Sequence, residues 1–517
     1  MGSRQLRFQL LLLLLAGCSL RAGGLSQQPI LLVLSLDGFR YDYLSRANLT
    51  HFDQLRTQWT FVPHVQPVFP SKTYPNHISI ATGLYSESHG VIGPFVEPET
   101  GRLVDHNETE FWNYSDAVQP IWALNEATSP DRFSGCMMWP GCSFLKPPTY
   151  VQTYNSSIAW EDQVSMVFDW LRDTERPANL VFWYLDQPDS AGHEYGPDSP
   201  QVSAQLRRAD RLLGYIGRTL RLFELEKRVN LVVTSDHGMA PVPADHLINL
   251  DTVVSPEWYT TLGPDPVLRV LPVTGKSLAV YGLLRDGSEK LGLNYTVYLK
   301  EKIPERWHYA NNPRVTDILL VADLGYMFTT ASFNRTLEYY RQMGRNGTGP
   351  YGDHGYDPAS PLMDHPLLAR GPAFRRQFVH TTRMENVDVA WLAALVLRLP
   401  LADDALNGSR LRVQPLLAPD SAAFWAGGAG AGFWTAVVLS VVFGSCVVAL
   451  VIAVIKRSVR RQSVNSSLIN GYMFRYSPVH RVHSRADRVS AAVGHGGIDG
   501  EEAEHLLSES TPPPTGV

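Results

Sequence analysis

Cysteine is almost absent from this chain. Four occur in 517 residues, at positions 18, 136, 142 and 446, which excludes a fold held together by a disulfide scaffold. A basic excess is also missing. The formal net charge is -5 at pH 7, so the electrostatic footprint of a nucleic-acid-binding surface is lacking and no nucleic-acid polymer is expected as a partner. No internal repeat is present, which excludes a solenoid or propeller. Length alone still allows one large domain or two or three smaller ones.

Two long apolar stretches stand out against this background. Residues 1–25, "MGSRQLRFQLLLLLLAGCSLRAGGL", run from basic residues through an apolar segment too short to span a bilayer into small residues. That is the pattern of a secretory signal peptide, and cleavage near Ala22 to Gly24 would remove Cys18. Residues 435–455, "TAVVLSVVFGSCVVALVIAVI", carry no charge and are followed at once by "KRSVRRQ". An uncharged run of this length with positive charge just beyond it predicts a transmembrane helix, and with the signal peptide a single-pass type I protein of the cell membrane whose N-terminal part is extracellular or lumenal. Eight N-glycosylation sequons agree with that topology, at Asn48, Asn107, Asn113, Asn155, Asn294, Asn334, Asn346 and Asn407,. A ninth, at Asn465, lies beyond the span and is expected to stay bare.

Once the signal is removed, Cys136 and Cys142 are the only cysteines before the span. They are expected to pair and close the short loop "CMMWPGC",. Residues 421–434 read as a Gly- and Ala-rich stalk, and 456–517 as a polar, disordered cytoplasmic tail. Within the tail, "YSPV" (476–479) and "EAEHLL" (502–507) resemble tyrosine-based and acidic dileucine sorting signals, which would make endocytic adaptors its partners.

Residues 26–420 remain as one large domain, and their rhythm is α/β. "PILLVLSL" (29–36), "ANLVFWYL" (178–185) and "RVNLVVTS" (228–235) are apolar runs of strand length, as strands buried on both faces should be,. Helical patterns such as "WEDQVSMVFDWLRD" and "QVSAQLRRADRLLGYIGRTLRLFELE" separate them. The alternation predicts a mostly parallel sheet flanked by helices.

The residues at the end of each run are chemically pointed. Asp37 closes the first, Asp186 and Asp189 come after the second, and Asp236 with His237 closes the third. In an open α/β sheet the carboxyl ends of the strands form the ligand-binding rim, so these carboxylates should converge there. His193 stands four residues after Asp189, and His354 lies in "GDHGYD". Mixed Asp and His ligation suits Zn2+, and several buried carboxylates need a cation between them. Taken singly, an Asp after a strand is as readily a turn residue or a helix cap. The stretch "VFPSKTYPNH" (68–77) adds hydroxyls at a predicted helix start, because Pro75 suits the first turn, and leaves open whether Ser71, Thr73 or Tyr74 is a nucleophile or only a cap,.

Five motifs in this order, "LSLDGFRYDYL", "SKTYPNHISIATGLYSESHGV", "QPDSAGHEYGP", "VVTSDHGM" and "GDHGYD", resemble the ectonucleotide pyrophosphatase/phosphodiesterase family of the alkaline phosphatase superfamily. The architecture is most similar to its short fourth and fifth members. The resemblance implies an alkaline-phosphatase-like fold and two Zn2+ per chain. Asp189, His193 and His354 would hold one; Asp37, Asp236 and His237 would hold the other, which Thr73 would also touch. Thr73 corresponds to the family nucleophile, and hydrolysis of a nucleotide phosphodiester or pyrophosphate bond would pass through a phosphothreonine. Tyr74 and Tyr154 fall at positions where aromatic rings sandwich a nucleobase, so the partner implied is a small nucleotide. One departure stands against the pattern: Pro94 occupies the position of a family Asn that binds phosphate oxygen, and proline has no donor to offer. Two alternatives arise from the same residues, a choline-phospholipid phosphodiesterase like the sixth and seventh members, and a catalytically weakened binding protein.

Overall fold

The computed structural model describes residues 25–97, 99–263, 265–329, 351–419 and 456. Two compact units divide the chain, Met1–Gly428 and Ala429–Val517. The first carries the sheets, helices and cavity described below. The signal segment before residue 25, the stalk, the 435–455 run, the tail motifs at 476–479 and 502–507, and the sequons at Asn334 and Asn346 lie outside the described residues. The expectation of a single-pass membrane protein is corrected. Among the described residues no helix is long and apolar enough to cross a membrane, and membrane anchorage is not carried forward.

A nine-stranded sheet organises the fold. In chain order its strands are β1 (Ile30–Leu36), β2 (Thr60–Gln66), β3 (Ser134–Met137), β4 (Tyr150–Gln152), β5 (Leu180–Leu185), β6 (Val229–Thr234), β7 (His365–Arg370), β8 (Phe378–Val379) and β9 (Met384–Glu385). Across the sheet they run β8-β2-β7-β6-β1-β5-β3-β4, with β9 beside β2. Strand β1 is central and parallel to both β5 and β6. Strand β7 runs antiparallel to its neighbours β2 and β6, so the sheet is mixed rather than purely parallel.

The three apolar runs are strands because both of their faces are covered. Alternate residues sort cleanly by face, as the two-residue strand period requires. Leu31, Val33, Leu180, Phe182 and Val232 enter one core; Leu32, Leu34, Val181, Trp183, Leu231 and Val233 enter the other. Helix α1 (Thr73–Thr82) and the wholly buried α4 (Asn386–Leu397) cover the first face. Helix α3 (Pro200–Leu222) covers the second. It buries Val202, Leu206, Ala209, Leu213, Ile216 and Leu220 at three- and four-residue spacing, the stripe of an amphipathic helix on a core. The Ser199 side chain accepts from the Val202 amide at its start, and Pro200 occupies the first turn, where a missing N–H costs little.

A second, four-stranded antiparallel sheet, ordered Tyr259–Leu262, Val267–Pro272, Ile318–Ala322, Tyr295–Leu299, has its own core around Leu268, Val270, Leu284 and Leu320. A short antiparallel ladder between Ala240–Val242 and Tyr351–Asp353 sets Asp353 opposite Ala240. It returns the chain at residue 354 to the end of β6. Cys136 and Cys142 are disulfide-bonded. Asn48, Asn107, Asn113, Asn155 and Asn407 are exposed and Asn294 is half-buried.

Candidate active site

The site forms where β1, β5 and β6 end. Asp37 directly follows β1, and its neighbour Gly38 turns the chain at φ 67°. A Cβ on Gly38 would stand 2.8 Å from that of Asp189, so a bare backbone is needed for the two loops to meet. Helix α2 (Asp189–Tyr195) follows β5 and places Asp189 and His193 one turn apart on one face,. Asp236 and His237 follow β6, and the 351–353 ladder brings in His354.

Six side chains fall into two groups, Asp189 with His193 and His354, and Asp37 with Asp236 and His237; within each, one ligand atom per residue lies within 4.8 Å of the others. The His237 and His354 rings stack with centroids 3.5 Å apart, so the groups adjoin. Asp37, Asp236, His237 and His354 are buried.

The proton accounting of the histidines is specific. His193 Nδ1 lies 2.8 Å from the Gly352 carbonyl, His237 Nδ1 2.9 Å from that of Gly238, and His354 Nδ1 2.8 Å from that of Ser71. A carbonyl only accepts, so each Nδ1 carries the proton and, in the neutral ring, each Nε2 presents a lone pair. Those lone pairs face other lone pairs. His354 Nε2 is 3.0 Å from His193 Nε2 and 3.5 Å from Asp189 Oδ1. His237 Nε2 is 3.0 Å from Asp236 Oδ2 and 3.4 Å from Asp37 Oδ1. Asp37 Oδ1, Asp189 Oδ1 and Asp236 Oδ2 are buried without a hydrogen-bond donor. Acceptors aimed at one another across 3.0 to 3.5 Å are repulsive, and a cation in each group converts that repulsion into ligation. The residues present therefore fit divalent metal.

Charge tells the same story. Burial, then the Asp236 and Asp189 carboxylates, push Asp37 well above the usual carboxylate range. For Asp236 burial acts upward, but the His237 and His77 rings outweigh it and hold the carboxyl low. On His237 burial opposes charge, yet Asp236 raises its pKa. Burial keeps His354 neutral, well below its usual range. The cluster calls for positive charge beyond what its own rings supply.

Thr73 opens helix α1, behind Lys72 at the N-cap. No side chain caps this helix, so the Thr73 hydroxyl is not spent on its own backbone. Its Oγ1 lies 3.3 Å from His237 Nε2. The amides of Thr73 and Tyr74 fall in the first turn, which has no intrahelical acceptors to offer them, and they sit at the positive end of the helix dipole. Ser71 is not a cap either: its Oγ donates to the Tyr356 carbonyl at 2.9 Å, while its own carbonyl holds His354. Asp186, which the sequence grouped with the rim carboxylates, stands apart from both metal groups and meets the Tyr154 hydroxyl at 3.3 Å.

Asp37, Thr73, Tyr74, Asp189, His193 and His354 line one cavity of about 840 Å3. Tyr74 packs edge-on to Trp112, ring centroids 5.0 Å apart, also meets the Phe111 and His106 rings, and lines the cavity. Tyr154 is 55% exposed, 6.2 Å from the Tyr184 ring, and is not part of that cavity's wall.

Three supporting residues escaped the sequence reading. Tyr184 donates to Asp37 Oδ2 at 2.7 Å; a hydroxyl at the end of an otherwise apolar run was the signal. His77 is 3.4 Å from Asp236 Oδ2, and its Nδ1 meets the Thr73 carbonyl at 2.8 Å, a contact written in its spacing of four from Thr73. Lys72 Nζ pairs with Asp353 Oδ1 at 2.8 Å, joining the helix start to the His354 loop.

A family model described as "Type I phosphodiesterase / nucleotide pyrophosphatase" matches residues 31–357. The chain belongs to this family. As a member it is a phosphoric diester hydrolase with an alkaline-phosphatase-like α/β fold. Similar relatives include human bis(5'-adenosyl)-triphosphatase ENPP4, 36% identical over 364 residues, 69% of this chain and 76% of the relative. Human ectonucleotide pyrophosphatase/phosphodiesterase family member 5 is 36% identical over 400 residues, 76% and 78% of the two chains. Among solved structures, murine ENPP5 superposes with a TM-score of 0.67 at 36% identity, covering 76% of this chain and all of that one. An inactive threonine-to-alanine variant of the murine protein, in complex with AMP, matches with the same TM-score, identity and coverage.

Proposed function

We propose that this family member hydrolyses a phosphodiester or pyrophosphate bond of a small nucleotide, with Thr73 as nucleophile and two divalent cations, zinc by the chemistry of the donors, in the groups Asp189/His193/His354 and Asp37/Asp236/His237. The observation that carries the reading is the opposed lone pairs around Thr73. Three Nδ1 protons are committed to carbonyls, three buried carboxylate oxygens lack donors, and one hydroxyl stands 3.3 Å from an imidazole of the second group.

When bound, the cations would lower the pKa of the threonine hydroxyl and offset the charge of the phosphoryl oxygens. The chain's own groups do the rest. Thr73 Oγ1 forms a bond to phosphorus while the bond to the leaving nucleotide breaks, and the hydroxyl proton passes to solvent. The first amides of α1 face the anionic phosphoryl group, a position where helix N-termini stabilise negative charge. Water then cleaves the phosphothreonine, which restores the hydroxyl and releases the second nucleotide. His77 fixes the Thr73 carbonyl and hence the helix start. Tyr184 and the Gly38 amide, 3.2 Å from Asp236 Oδ1, orient the two carboxylates. Tyr74, on the cavity wall, offers a face to a nucleobase, with Tyr154 at the rim; stacking of this kind tolerates any base. The bis(5'-adenosyl) triphosphate for which one relative is named, and the AMP bound by another, fit such a slot.

The test is a turnover screen with metal analysis on the same sample, using diadenosine triphosphate, NAD and lysophosphatidylcholine. Release of AMP from the nucleotides by protein holding two zinc ions is expected. Hydrolysis confined to the choline lipid, or two bound metals without turnover of any of the three, would replace this reading with one of its alternatives.

A further inference from the structure

Arg269 lies in the strand Val267–Pro272 of the smaller sheet and reaches the wall of the 840 Å3 cavity that contains Thr73. It is 2% exposed, yet among the described residues no carboxylate pairs with it. Its Nη1 donates to the Arg314 carbonyl at 3.2 Å and its Nη2 to the Pro94 carbonyl. Both acceptors are neutral. Burial pulls its pKa down, and Tyr309 alone acts in the opposite direction. A buried guanidinium without a counter-ion is unfavourable unless an anion arrives. Two of its five N–H groups are used on carbonyls, which fix the plane of the fork.

The neighbouring segment adds a second observation. Gly93 and Pro94 line the same cavity, and a Cβ on Gly93 would stand 3.0 Å from Arg269 Nη2. The bare backbone there lets the guanidinium lie against the segment. Pro94 has neither an N–H nor a polar side chain, so it offers no donor at the place where the family resemblance puts an Asn amide. The cation that lies against it is Arg269.

We infer that Arg269 is a substrate-anchoring residue that binds phosphate oxygens of the nucleotide and supplies the donors Pro94 cannot. The inference rests on the nucleotide phosphodiesterase reading above. A guanidinium differs from an amide in carrying a full charge. Binding should therefore strengthen with the number of phosphates on the ligand.

The experiment compares the full chain with Arg269→Met, Arg269→Lys, Arg269→Gln and Arg269→Met/Pro94→Asn. It uses diadenosine triphosphate as substrate, with AMP and ADP as competitive inhibitors. Loss of one donor to a developing oxyanion lowers turnover by about 10²-fold, so a drop of that order in kcat/KM is expected for Arg269→Met, with weaker inhibition by AMP and a smaller gain in inhibition from AMP to ADP. Arg269→Lys should recover part of the loss through its charge, and Pro94→Asn should restore part of the activity of the Met variant. Unchanged KM and unchanged inhibition by AMP and ADP in Arg269→Met would overturn the inference. Should that variant melt before assay temperature, Arg269→Lys and Arg269→Gln decide the matter, and parental kinetics in both would overturn it equally. A parent protein that turns over no nucleotide overturns the underlying reading; a parent that does, beside an indifferent Arg269→Met, overturns the role of Arg269 alone.

Discussion

Tyr184 offers the sharpest handle on the proposed metal groups, because it touches a proposed ligand without being one. Its hydroxyl donates to Asp37 Oδ2 at 2.7 Å, and its ring packs edge-on to His77 with centroids 5.0 Å apart. Tyr184→Phe keeps the ring and removes only the donor. A hydrogen bond to a charged group contributes about 1.5–3 kcal/mol, and each 1.4 kcal/mol is about tenfold in an equilibrium constant. Loss of one outer partner of a metal ligand costs about 10–100-fold in metal affinity, in line with that conversion. Tyr184→Phe is therefore expected to hold zinc in the Asp37 group about 10–100-fold more weakly. Chelator competition on the purified protein, with zinc read in the retained fraction, measures this. Tyr154→Phe is the control, since that hydroxyl meets Asp186, which belongs to neither group. A Tyr184→Phe protein that gives up zinc at the same chelator concentration as its parent would refute the reasoning that Asp37 is a ligand held from behind by Tyr184.

Two further outcomes are expected from other parts of the fold. His89 is buried with its Nε2 3.0 Å from Ser79 Oγ, and its Nδ1 accepts from the Val91 amide at 3.1 Å; burial lowers its pKa from 6.5 to about 3. Its folded pKa is depressed, so between those values the unfolded chain binds the extra proton and stability falls as pH falls, by up to about 1.4 kcal/mol per unit. His89→Asn, which keeps an acceptor near Nδ1, should flatten the decline of Tm between about pH 6.5 and about pH 4, and an unchanged slope would count against the buried neutral ring. Gly352→Ala would bring a Cβ within 2.4 Å of the Gly192 carbonyl, forcing apart α2 and the strand whose carbonyl holds His193. A loss of about 1–3 kcal/mol or more together with metal from the Asp189 group is expected by thermal unfolding and metal analysis; full retention of both would contradict the close approach.

The strand-end residues could be read from the sequence because β1, β5 and β6 are buried on both faces. Such strands appear as unbroken apolar runs, and Asp37, Asp189, Asp236 and His237 come within a few residues of where the runs stop. His354 was legible as a residue type but not as a neighbour. Only the three-residue ladder of Tyr351–Asp353 on Ala240–Val242 returns it to the rim, and ladders that short leave no periodicity to detect. The reversal of β7 was hidden for a related reason: an apolar run in a sheet core does not encode its direction. Sequence also could not weigh Ser71 against Thr73 without the resemblance, since both stand near Pro75. The structure separates them by their partners, a carbonyl for Ser71 and an imidazole for Thr73. Arg269 was invisible altogether, because nothing local to "VLRVLP" says that its cation will be buried without a paired carboxylate among the described residues.

The central claim is that Thr73 Oγ1 attacks phosphorus beside a cation pair. Thr73→Ala measures it most directly, assayed for zinc content and for AMP release from diadenosine triphosphate in one preparation. Zinc close to the parental amount and AMP release lowered to background are expected. Substantial AMP release from that variant would contradict a covalent route through Thr73.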